Sequence, residues 1–275
     1  MTMDFTTIAD AKKQTGLAYL GGVNISAKMI KNKKVNKQLT YIIYLAPANT
    51  SGYNVCSHST PECRMGCLAT SGHAGMEIMA GKTSKIVDSR IKKTRLFYEQ
   101  PEFFMQWLIA EIKANQAKAK KQNLGFSVRL NGTADIDWAN VLVNGQNIFQ
   151  IFSDVQFYDY SKSNLKFNNK PNNYHLTYSF TGRNTNQCIE LLNRGFNVAV
   201  VFNVKRESDL PKTFMNYPVI NGDETDFRVL DAKGIIIGLK FKHIANKQAE
   251  KQVLNSCFVV QPTDVRCNVQ QLELV

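Results

Sequence analysis

The chain has 275 residues, 44% hydrophobic and 20% charged, with 34 Lys and Arg against 22 Asp and Glu and a net charge of +12. That balance is globular and able to bury a full core. No apolar run reaches the roughly 20 residues that cross a bilayer, and the opening MTMDFTTIADAKKQTG has no secretory pattern, so a cytoplasmic protein with reduced thiols is expected.

In chain order, YIIYLAP (41–47) is a short β-branched and aromatic run and reads as a buried strand. KTSKIVDSRIKKTRLFYE (82–99) reads as a helix, with Ile86, Arg90, Ile91, Thr94 and Phe97 on related faces. PEFFMQWLIAEIKANQAKAKK (101–121) is a clearer helix, with Pro101 in its first turn and Phe104, Leu108 and Ile112 as its apolar stripe. GFSVRL (125–130) is a strand, and the region of Val141, Leu142, Ile148 and Phe149 reads as helical in part. VQFYDY (155–160), YHLTYSF (174–180) and FNVAVVF (196–202) are strands, with the helix TNQCIELLNRG (185–195) between the last two, ended by Gly195. PVING (218–222) and GIIIGL (234–239) complete the series.

Alternating strands and helices imply an α/β fold: a TIM-like barrel or partial barrel of about seven mainly parallel strands, with a cysteine loop after the first. One domain over 1–275 is expected, with 1–35 as an N-terminal extension and 263–275 as a tail. In such folds the chemistry gathers at the carboxyl ends of the strands. Here those ends lead into NVCSHSTPEC, NGTADIDW, SKSN, FTGRN, NVKR, NGDETDFR and KFKH, all polar or ionisable.

Cys56, Cys63 and Cys67 lie within NVCSHSTPECRMGC. Three close cysteines in a reducing compartment bind metal more often than they pair. Zinc would need a fourth ligand, from His58 or His73. A [4Fe-4S] cluster would need none, leaving one iron open for a substrate or cofactor. Cys188 lies on an apolar helix face and reads as core, while Cys257 and Cys267 have no partner motif.

Around that loop, Asp135, Tyr158 and Asp223 are the candidate catalytic groups, and Asn131, Ser179 and Arg183 the candidate cofactor ligands. Asp135 and Asp137, with Asp223 and Asp226, also make a candidate divalent-metal site, which would suit a nuclease, although Asn-Gly and Asp are ordinary turn formers. Arg129, two residues before Asn131, is expected on the same side of its strand, and alternation sends Tyr158 and Tyr160 to the face opposite Asp159. His175 reads as structural; Lys240, Lys242 and His243 follow the last strand as a basic rim.

NVCSHSTPECRMGCLATSGHAG, SRIKKTRLFYEQPEFF, RLNGTADIDW, FYDYSK, NYHLTYSFTGRN, NVAVVF and VINGDETDFRVLD together resemble the phage-associated gene product 88 family, over about residues 15–262. The layout also resembles radical S-adenosylmethionine (radical SAM) enzymes, partial barrels with three cluster cysteines after the first strand. The spacing departs from theirs: C-x6-C-x3-C here instead of C-x3-C-x2-C, with NGTAD (131–135) where their glycine-rich motif would stand. These resemblances imply a phage-type iron–sulfur enzyme that binds S-adenosylmethionine and acts on a nucleotide, nucleic acid or other phosphate-bearing ligand at the barrel mouth. The net charge alone supports a different expectation, a zinc-stabilised nucleic-acid-binding protein.

Overall fold

The computed structural model describes residues 3–23, 26–67, 84–244 and 246–268. Twelve short strands occur among them: β1 (Gly21–Val23), β2 (Gln38–Ile43), β3 (Gly125–Arg129), β4 (Leu142–Val143), β5 (Gln146–Asn147) and β6 (Gln156–Ser161), then β7 (Tyr174–Ser179), β8 (Asn197–Phe202), β9 (Thr213–Phe214), β10 (Tyr217–Asn221), β11 (Ile236–Lys240) and β12 (Val259–Val260). The helices are α1 (Ile8–Thr15), α2 (Ala27–Asn36), α3 (Pro61–Met65), α4 (Lys85–Glu99), α5 (Pro101–Lys121), α6 (Ile148–Ile151), α7 (Thr185–Asn193) and α8 (Lys247–Leu254).

All seven predicted strands form, as β2, β3, β6, β7, β8, β10 and β11, and they run parallel to one another. They belong to a ten-stranded sheet of order β1-β2-β3-β6-β7-β8-β11-β10-β9, with β12 pairing the last two residues of β8 beyond the reach of β7. The barrel expectation is corrected here. In a closed (β/α) barrel each strand lies beside its predecessor and the last meets the first. Here β11 inserts between β8 and β10, β1 and β9 cap opposite edges as antiparallel strands, and among the described residues these edges do not pair. The sheet is open.

The stretch 1–35, expected to be an extension, instead supplies β1 to the sheet, together with α1 and α2. Lys28 of α2 also bridges the two ends of the strand path, its Nζ lying 2.8 Å from Asp223 and 3.0 Å from the Gly222 carbonyl. The region of Val141, Leu142, Ile148 and Phe149 is helical in part, as expected: residues 142–147 form a β4–β5 hairpin and Ile148–Ile151 form α6. In α4 the inward residues include Lys93 and Leu96, while Ile86 is exposed.

Alternation gives the sheet two different faces. Tyr41, Val128, Phe157, Leu176 and Val198 join Phe104, Trp107, Leu108 and Ile112 of α5 and Leu191 of α7 in the main apolar core. The other face carries Thr40, Ser127, Arg129, Tyr158 and Tyr160. There Thr40 and Ser127 hydroxyls lie 3.0 Å apart, and Tyr158 lies 3.4 Å from both Thr40 and Asp226. Asp226, Phe227 and Arg228, from the connection between β10 and β11, are buried, and the Phe227 ring packs edge-on against Tyr158 at 5.4 Å.

Candidate functional site: a cysteine rim over a polar sheet face

After β2 the chain arcs over the carboxyl ends of the neighbouring strands. Cys56 is fixed near β3: the Ala48 N–H reaches its sulfur at 3.5 Å, and Thr133 O lies 3.8 Å away. The Asp135 N–H donates to Val55 O at 2.8 Å. Gly132 permits this close stacking, since a Cβ there would stand 2.6 Å from both Ile43 O and the Tyr44 ring.

Thr60 then starts α3 by accepting from Cys63 N at 3.2 Å, with Pro61 in the first turn. This short helix places Cys63. Arg183, after β7, holds it through Glu62 at 2.8 Å. Gly66 lets its end approach α8, because a Cβ there would meet Glu62 O at 3.2 Å and Val253 at 3.3 Å. Cys67 follows directly.

The three thiols share one electrostatic environment. Burial pushes the Cys56 thiol up to about 11, and Cys67, Asp135 and Cys63 add to that shift. Lys162 lies within hydrogen-bonding reach of Cys63; burial would lower its pKa, but Cys63, Asp135 and Cys56 more than offset this and raise it. Arg90 sits 5.1 Å over the Tyr44 ring and within electrostatic reach of Cys67. Two cations thus flank the thiols, Lys162 beside Cys63 and Cys56 and Arg90 beside Cys67. Among the described residues, no three His, Cys, Asp or Glu side chains stand close enough to share a single metal ion.

The other predicted residues are distributed differently. Asp135 is engaged on every side: it accepts from Ser161 Oγ and Lys162 N at 2.8 Å each and from Lys166 Nζ at 2.6 Å. Asn131 holds its own turn, bonding Ile136 N and O at 3.0 Å and accepting from Trp138 Nε1 at 3.1 Å. Arg129 does not share that side; it reaches Asp226 at 2.8 Å and stacks over Tyr160 at 5.0 Å, because the strand ends at 129 and alternation lapses. Asp223 bonds Lys28 and accepts from Lys240 N at 2.7 Å. Asp137 accepts from Asn140 at 2.8 Å. The four aspartates therefore have separate partners and do not converge.

Tyr158 and Tyr160 do share the polar face, with Asp159 opposite. Asp159 caps the gap where β3 and β6 diverge, accepting from Asn131 N at 2.9 Å, Leu130 N at 3.2 Å and Tyr174 OH at 3.1 Å. Burial raises its carboxyl to about 7 against Arg129 and these donors. Ser179 ends β7, its carbonyl accepting from Asn184 at 3.0 Å. His58 is exposed beside Ser57, and His73 lies outside the described residues. Cys188 is buried in the core, as expected.

Lys162, present in FYDYSK, and Arg90, read only as a helix-face residue, were not linked to the cysteines by the sequence. For Lys162 the signal was present: Tyr158, Tyr160 and Lys162 continue one period of two.

The sequence model of the family described as gene product 88 matches residues 21–257. Among curated proteins and solved structures nothing matches the chain.

Proposed function

The chain belongs to the gene product 88 family, and from that premise we propose that it is an iron–sulfur enzyme. Cys56, Cys63 and Cys67 hold one [4Fe-4S] cluster whose fourth iron has no protein ligand. The reading rests on one observation: the three thiols share an environment with Lys162 and Arg90 at the carboxyl ends of the parallel strands. Sulfurs on one zinc at 2.3 Å lie about 3.8 Å apart, whereas a cluster takes each thiolate on a separate iron and accommodates a wider set. When bound, the cluster supplies an open iron that chelates a small molecule, with S-adenosylmethionine as the candidate.

The chain's own residues do the rest. Lys162 and Arg90 supply positive charge beside the cysteines, and Tyr158 and Tyr160 line the face below, Tyr158 fully buried against Thr40, Asp226 and Phe227. Arg183 and Lys242 at the rim attract a nucleotide or other phosphate-bearing substrate.

The test is anaerobic reconstitution with iron and sulfide, followed by iron analysis and a visible spectrum, with and without S-adenosylmethionine. Each of C56A, C63A and C67A should lose the cluster, while H58A and H73A keep it, and S-adenosylmethionine should perturb the wild-type spectrum. A colourless protein with stoichiometric zinc, or loss of the cluster in a histidine variant, overturns the reading.

A further inference from the structure

At the pole opposite the cysteine rim, α2 and the last turns of α5 meet at the amino ends of β2 and β3. Lys33 Nζ bonds Gln122 Oε1 at 3.0 Å, and Gly125 N donates to Lys37 O at 3.0 Å. Lys31, Lys33, Lys34 and Lys37 come from the first segment, and Lys118, Lys120 and Lys121 from the second. All are exposed except Lys33, which is half-buried. No acidic residue occurs between Asp10 and Glu62 or between Glu111 and Asp135, so neither segment carries its own countercharge. Among the described residues none of these seven lysines forms an ion pair.

The lysines are confined to one pole. Elsewhere several cations are paired, Lys166 with Asp135, Arg183 with Glu62, Lys240 with Glu207 and Arg266 with Asp264. Other lysines without an ion pair among the described residues, such as Lys85, Lys205, Lys212, Lys233 and Lys251, each lie within three residues of an acidic one. Concentrating unpaired like charge costs self-repulsion, which a polyanion relieves.

We propose that this pole is a binding surface for the phosphate backbone of double-stranded nucleic acid, contacted without regard to sequence. The chemistry selects among polyanions. Sequence-specific reading relies on bidentate contacts to base edges, and here the charged groups are all lysine, which meets phosphate as a point charge. Gripping a single strand needs aromatic platforms, and neither α2 nor residues 113–123 contains an aromatic. Embedding in a lipid surface needs a broad apolar face, and α2 exposes only Ile30 and Val35 among its lysines. The surface lies at the opposite ends of the strands from the thiols, so it tethers the protein to a duplex and does not deliver that duplex to the cysteine rim.

The experiment measures binding of the full chain to a fluorescent 30-base-pair duplex by anisotropy between 50 and 200 mM salt. Single-stranded DNA and vesicles containing phosphatidylserine serve as parallel probes. Engaging the six exposed lysines makes wild-type affinity fall roughly 1,800-fold over that range. The triple variants K31Q/K34Q/K37Q and K118Q/K120Q/K121Q should each flatten the log–log salt slope by about 2.7, with circular dichroism unchanged. C63A should leave duplex binding intact, which keeps this surface separable from the cysteine site. No duplex binding at 50 mM salt, an unchanged slope in both triple variants, or vesicle binding in place of duplex binding overturns the proposal.

Discussion

Replacing Asp135 by alanine distinguishes a structural staple from a catalytic acid. The Asp135 and Lys166 side chains are only 10% and 7% exposed, with Nζ 2.6 Å from Oδ1. The same carboxylate receives Ser161 Oγ and Lys162 N. Truncation leaves a buried ammonium and two donors without their acceptor. Breaking one side of such a pair costs about 3–5 kcal/mol, which for a chain of this size lowers the melting temperature by roughly 10 °C. Urea denaturation followed by circular dichroism measures the loss. The double variant D135A/K166M should recover part of it, because the stranded charge is gone. If D135A unfolds within about 1 kcal/mol of wild type, the staple reading fails.

Four further outcomes follow from the geometry. Iron loading should weaken about tenfold per pH unit lowered near neutrality, because the Cys56 thiol, pushed up to about 11, must release a proton to bind; loading independent of pH contradicts this. Asp159, raised to about 7, costs stability as pH climbs from about 4 to 7, and D159N should remove that slope in urea titrations. His175, held down to about 4 by burial beside Lys170 and Arg228, acts in the opposite direction between about 6.5 and 4, so H175Q should retain more of its stability in acid. G132A should cost about 1–3 kcal/mol, since its Cβ would meet the Ile43 carbonyl and the Tyr44 ring, and wild-type stability in that variant would refute the close approach.

The seven parallel strands were legible because each is a short β-branched or aromatic run with polar residues after it. The α5 helix was legible from its stripe and from Pro101. Strand neighbours were not: nothing local in PVING or GIIIGL says that the later strand slips between the earlier one and β8. The two- and three-residue strands β1, β9 and β12 are too short to show a period. The cysteine rim was visible as spacing, but its cations were not, because Arg90 and Lys162 sit far from the cysteines in sequence. The partners of Asp135 were hidden for the same reason. Its partner Lys166 lies 31 residues away, and a polar strand end looks the same whether its carboxylate awaits a ligand or is already taken.

The inserted position of β11 has a consequence for synthesis. A chain emerging from its N-terminus lays down β2, β3, β6, β7 and β8 in the order in which they lie side by side. β10 is then made before its parallel neighbour β11 exists, so beyond its short antiparallel pairing with β9 it has no strand of the sheet to join until Ile236–Lys240 have left the ribosome. Until that moment Asp226 and Arg228 cannot cover Tyr158 and Arg129. The nascent protein thus passes through a stage in which its polar face is open to solvent while Cys56, Cys63 and Cys67 are already made. The last connection to settle is the one that closes the interior.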